Sequence, residues 1–152
     1  MDSVDRQLLD ALRQNGRATY AELARLVGLS APAVHERVGK LEAAGVITGY
    51  HAAVAAESLG YAINALIGVF ITDNADSDDL TKAFAGLPAV EHCWFVAGEE
   101  TFVIKVRVPD VAGLERTIQT VNAIKGVART RTTVVLSTKF EDRVQALDLA
   151  GG

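Results

Sequence analysis

"VAGEETFVIKVRVP", residues 96–109, alternates with period two over its second half. Phe102, Ile104, Val106 and Val108 share one side, and Val103, Lys105 and Arg107 the other. Successive side chains of a strand point to opposite faces, so this reads as a strand with one face in a core. "VEHCWFVAG" (90–98) reads as the strand before it, which makes Gly98, Glu99, Glu100 and Thr101 the connection of a hairpin with an acidic tip.

The flanks extend the pattern. "INALIGVFIT" (63–72) sets Ile63, Ala65, Ile67, Val69 and Ile71 on one face and Leu66 and Phe70 on the other, so both faces read as at least partly buried. "DNADSDD" (73–79) is an acidic turn that doubles as a helix start, where carboxylates offset the helix dipole; Leu80, Phe84 and Leu87 follow. Beyond the hairpin, Pro109-Asp110 opens a second helix with the stripe Val111, Leu114, Ile118 and Val121. "VARTRTTVVLSTKF" (127–140) is the last strand, with a short helical tail expected over 144–149. "GLPAVEHC" (86–93) and "AIKGVART" (123–130) both run from a helix end through a turn into a Val-led strand. The order β-α-β-β-α-β is the ferredoxin-like split βαβ architecture. Its helices cover one face of the sheet, and apolar residues on the other face call for a cover, most simply a second copy of the chain.

Residues 1–50 have a different period. Asp2 or Ser3 can cap a first helix carrying Val4, Leu8, Leu9 and Leu12, which Asn15-Gly16 stops, glycine tolerating the left-handed turn after a helix. Thr19 and Glu22 form a capping box for a second helix with Leu23 and Val27 on its buried face, ended by Gly28. Ser30 caps a third, with Val34, Val38 and Leu41 as its core face and Ala44-Gly45 as its end. Helix, glycine-containing turn, helix, behind a stabilising first helix, is the helix-turn-helix layout. The side of the third helix away from its core carries Pro32, His35, Glu36, Gly39 and Lys40, and would face a major groove. His35 and Glu36 are the base-edge candidates. Arg37, on the flank, reaches a phosphate or braces the bundle, and Lys40 and Arg17 are further phosphate candidates. Thr19 and Tyr20 at the start of the second helix, and Ser30 and Ala31 at the start of the third, complete the candidate DNA-binding set.

The expected organisation is therefore α+β: a helix-turn-helix (winged-helix-like) domain over 1–50, a linker over 51–60, and a ferredoxin-like βαββαβ domain over 61–152. With 152 residues, 49% of them apolar, 22% charged and 3 prolines, the chain is expected to fold. No run approaches 18 apolar residues and the N-terminus is acidic, so neither a membrane span nor a signal peptide is expected. The single Cys93 excludes an internal disulfide and a cysteine zinc cluster and suits a cytoplasmic location. Net charge is −4 overall, yet residues 11–50 carry +2, a basic bias that fits a nucleic-acid-binding front.

Enzymatic readings have little to stand on. Glu99 and Glu100 are adjacent, so in a regular strand they diverge, whereas two working carboxylates must converge across a cleft. Cys93 and His92 alternate in the same way, and His35, His51 and His92 lack metal-ligand spacing. No catalytic residue, metal or cofactor is expected.

Across nearly its whole length the chain resembles the Lrp/AsnC (leucine-responsive, feast/famine) transcriptional regulators. The likeness rests on "DRQLLDALRQNGRATYAELARLVGLS" and "VHERVGKLEAAGVITGY" in front, and on "VAGEETFVIKVRVPD" and "RTRTTVVLST" behind. It implies a homodimer joined through its sheets and assembling to a tetramer or octamer. It also implies double-stranded promoter DNA as partner and an amino acid or related metabolite as effector, bound where sensing domains of neighbouring dimers meet. By position the effector site would take Gly98, Glu99, Glu100, Thr101 and Phe102, with Thr133 and Val134 on the last strand. Thr101 stands where the family commonly has an acidic residue, and Gly39 where it often has a basic one. The alternative reading is a small-molecule-binding module whose helical front mediates protein contacts.

Overall fold

The computed structural model describes residues 1–145. The described residues form two compact units, Met1–Ala53 together with residues 140–145, and Val54–Lys139. Residues 140–145 thus group with the helices, whereas the sequence placed them with the sheet. They follow the last strand after its ladder has ended at Val135, so no strand pairing holds them to the sheet.

In the first unit, α1 (Ser3–Gln14), α2 (Tyr20–Val27) and α3 (Ala31–Ala43) enclose Leu8, Leu23, Ala24, Val34 and Val38, with Val4, Leu12 and Val27 packed around them. Side-chain caps set the starts. Asp2 and Asp5 cap α1 reciprocally, Thr19 and Glu22 do so for α2, and Ser30 caps α3. Gly28 ends α2 in the left-handed region at φ +70°. Gly16 is not the left-handed stop the sequence suggested: α1 ends because Asn15 turns extended while its N–H still bonds Ala11 O. Residues 46–55 contain no strand, so no wing accompanies the three helices.

The second unit begins with a 3-10 turn at Ala56–Leu59. It continues through β1 (Ile63–Ile71), α4 (Ser77–Ala85), β2 (Val90–Phe95), β3 (Phe102–Val108), α5 (Val111–Asn122) and β4 (Val127–Val135). The sheet order is β2-β3-β1-β4 with every pair antiparallel, the ferredoxin-like arrangement. Ala65, Ile67 and Val69 of β1, with Phe102, Ile104, Val106 and Val108 of β3, pack against Leu80 and Phe84 of α4 and Leu114 and Val121 of α5. The stripe of α5 is narrower than the sequence implied. Val111 is 72% exposed because it directly follows the cap at Asp110, before the helix has turned toward the sheet. β4 stops at Val135 rather than near residue 140; of the expected tail, Val144 and Gln145 are not helical and residues 146–149 lie outside the described residues. Among the described residues no helix is long and apolar enough to cross a membrane.

Candidate functional site

On α3, Val34, Val38 and Leu41 are buried, while Pro32, His35, Glu36 and Lys40 are exposed on the other side. The helical period alone produces this split. Tyr20 at the start of α2 meets His35 edge to face, ring centroids 4.9 Å apart, so the two helices present one continuous surface. Thr19 and Ser30 accept bonds from Glu22 N and Ala33 N (3.2 and 3.3 Å). Their hydroxyls thus shape helix starts before they meet any ligand. Ala31 is half-buried against the helical core, and Arg17 is exposed beside Asn15, whose side chain accepts its backbone N–H at 3.0 Å.

Of the two roles open to Arg37, the brace is present in the fold. Its Nη1 lies 2.8 Å from both Asp2 Oδ2 and Asp5 Oδ1, the two residues that cap α1. Both contacts are made by Nη1, and the side chain remains 34% exposed. The Asp5 N–H and then Arg37 hold the Asp2 carboxyl below its usual range, and Asp2 followed by Asp5 raise Arg37. Lys40 in turn sits 2.6 Å from Glu36. Two of the cations behind the basic bias of residues 11–50 are therefore paired within the unit.

Arg37→Ala is expected to lower the melting midpoint of the helical unit. Because the folded-state pKa of Asp2 is depressed, its contribution is complete above the usual carboxylate range and fades as pH falls through the folded value. The wild-type advantage should accordingly shrink on acidification. Thermal melts of both proteins from neutral to acidic pH check this, and a pH-independent difference would contradict the clasp.

At the other end of the sequence, Val96 N donates to Thr101 O and Thr101 N to Val69 O, both at 3.0 Å, closing the hairpin onto β1. Residues 97–101 are bends, not strand. The expected divergence of Glu99 and Glu100 fails for that reason, since alternation holds only in a regular strand. Both carboxylates instead converge on Arg131 of β4. Nη2 of Arg131 donates to Glu100 Oε1, and Nη1 lies 3.7 Å from Glu99 Oε2. The Glu100 side chain is 14% exposed and that of Glu99 80%, so Glu99 is the carboxylate open to a ligand.

Arg131 escaped the reading from sequence. The signal was present in "RTR": Arg129 and Arg131 share a face of β4, and a cation pair on a strand is a natural counterpart to an acidic tip. Arg129 stands over the Phe70 ring, 3.5 Å from its centroid.

Two other assignments change. Phe102 is 2% exposed, packed edge to face on Phe84 and Phe95, so its side chain belongs to the core and not to a ligand. Thr133 pairs with Leu66 and Val134 with Ala65, which sends their side chains to opposite faces. Thr133, two residues from Arg131, shares its face and Val134 does not. Gly98 is exposed at the tip, and Thr101 is held by its backbone bonds.

Comparison with known proteins follows the same two parts. An AsnC-type helix-turn-helix domain matches residues 1–42, and an Lrp/AsnC ligand binding domain matches residues 64–145. The chain is 39% identical over 143 residues to the HTH-type transcriptional regulator LrpA of Mycobacterium tuberculosis, covering 94% of this chain and 95% of that one. It is 32% identical over 137 residues to the regulatory protein AsnC of Escherichia coli, covering 90% of each. A solved structure of the M. tuberculosis feast or famine regulatory protein Rv3291c, complexed with L-methionine, superposes with a TM-score of 0.89 at 39% identity, over 95% of this chain and 97% of that one.

Proposed function

The chain belongs to the Lrp/AsnC family of DNA-binding transcriptional regulators, and from that premise we propose that α3 reads promoter DNA while the acidic hairpin takes a zwitterionic amino acid. The convergence of Glu99, Glu100 and Arg131 carries the effector half of this reading. An amino acid presents an ammonium and a carboxylate a few ångströms apart. Glu99, 80% exposed at the hairpin tip, offers the ammonium its complement. The L-methionine bound by Rv3291c makes an apolar amino acid the first candidate.

DNA binding requires more than one copy. With Arg37 and Lys40 paired internally, a single helical unit neutralises few phosphates and binds weakly. A dimer placing two α3 helices about one helical turn of DNA apart supplies the missing contacts. The sheet unit supports such pairing, because the face away from the helices carries Leu66, Phe70 and Val103, half-buried, and Trp94, 44% exposed, apolar area that a second copy would cover. Effector binding between sensing domains then biases the assembly or the spacing of the reading heads, in a cytoplasmic regulator.

Mobility-shift assays on promoter DNA at graded salt, with and without L-methionine, test this. Sequence-preferring binding should weaken steeply with salt, log K falling with a slope of about −0.9 per phosphate contact. Binding indifferent to sequence would favour the module that contacts proteins instead.

A further inference from the structure

Glu100 reaches Arg131 by an unusual route. The hairpin joins β2 to β3, and Arg131 lies on β4, with β1 between. The Glu100 side chain therefore crosses β1, and it does so at Gly68, the residue that pairs with Arg131 in the ladder. A Cβ at position 68 would stand 2.7 Å from Glu100 Cγ and 2.9 Å from its Oε1, closer than atoms tolerate. Gly68 has no left-handed backbone that would demand glycine. A glycine also weakens the interior of a strand, so what it supplies here is the room above its Cα.

We propose that Gly68 and Arg131 are positioning residues of the effector site: the Glu100–Arg131 ion pair, laid across β1 through the gap at Gly68, fixes the hairpin so that Glu99 alone remains open to the ligand's ammonium. Glu100 is thus a tether and not a ligand contact. Its carboxylate is mostly covered and hydrogen-bonded to Arg131, while Glu99, one residue away, approaches the same guanidinium only to 3.7 Å and is largely open to solvent. The tether joins the tip of one hairpin to the far edge strand, which otherwise meets the hairpin nowhere along the ladder. Selectivity follows: the site should need an ammonium group and discriminate against the deaminated acid of the same side chain.

This rests on the effector reading above for its ligand, but the tether has a readout of its own. Hydrogen exchange of the Val96 and Thr101 amides reports hairpin closure without any ligand. Gly68→Ala and Arg131→Gln should each speed that exchange at least tenfold, while Arg131→Lys stays near wild type. The charge swap Glu100→Arg with Arg131→Glu should restore protection that either single change removes. L-Methionine affinity, by calorimetry, should drop at least tenfold in Gly68→Ala and Arg131→Gln and return with Arg131→Lys. Glu99→Gln should lose affinity with exchange unchanged, and 4-(methylthio)butanoic acid, which lacks the ammonium, should bind the wild type far more weakly than L-methionine. Unchanged hairpin exchange in Arg131→Gln would overturn the tether, whatever the ligand does. If the wild type bound none of the twenty amino acids while the exchange pattern held, the effector reading would fall and the tether would stand.

Discussion

Phe102→Ala should destabilise the sheet unit by about 3–5 kcal/mol, the usual cost of truncating a buried phenylalanine that its surroundings cannot fill. Phe102 is 2% exposed, pairs with Val69 across the ladder, and contacts Phe84 and Phe95 edge to face with centroids 5.5 and 5.4 Å away. Its removal opens a cavity where β1, β3 and α4 meet, and the aromatic contacts vanish with it. Urea denaturation followed by far-UV circular dichroism measures the loss. The protein that remains folded should bind L-methionine within about twofold of wild type, because the ring lies on the helix side of the sheet and Arg131 on the other, and twofold is only about 0.4 kcal/mol. A stable Phe102→Ala protein with abolished binding would return this residue to the effector site.

Gly39→Lys should strengthen DNA binding and stabilise α3 together. Gly39 sits mid-helix on the groove side, has no positive φ, and nothing lies within 4 Å of where a Cβ would be placed. A glycine there costs roughly 0.5–1 kcal/mol against a good helix former, and lysine is one. The new ammonium stands three residues from both Glu36 and Glu42, which favours the helix before DNA arrives. On DNA it should add one phosphate contact per head, steepening the log–log salt slope by about 0.9 for each. A slope unchanged from wild type, in an otherwise more stable protein, would mean that this face of α3 does not approach the backbone.

The same residues mark where sequence sufficed. Leu8, Leu23, Val34 and Val38 fall in the core as their helical spacing requires, and Thr19 and Glu22 close the capping box their separation allows. Phe102, Ile104, Val106 and Val108 are buried in the alternation visible in the string. Each of these is a local relation, fixed by the geometry of one helix or strand over a few residues, and it survives whatever the rest of the chain does.

What the string could not supply are relations between distant residues and the exceptions to local rules. Arg37 meets Asp2 and Asp5 from more than thirty positions away, partners that no local period names. Glu99 and Glu100 alternate only if the hairpin tip is a strand, and it is a set of bends. That Glu100 lies on Arg131 depends on the pairing of β1 with β4, on the bends that turn the side chain across the sheet, and on the missing Cβ at Gly68. Periodicity in sequence determined which elements form and which of their faces are buried, because those follow from backbone geometry alone. Which charges meet was decided by the tertiary structure, because strand register and side-chain reach are set only once the whole sheet has closed.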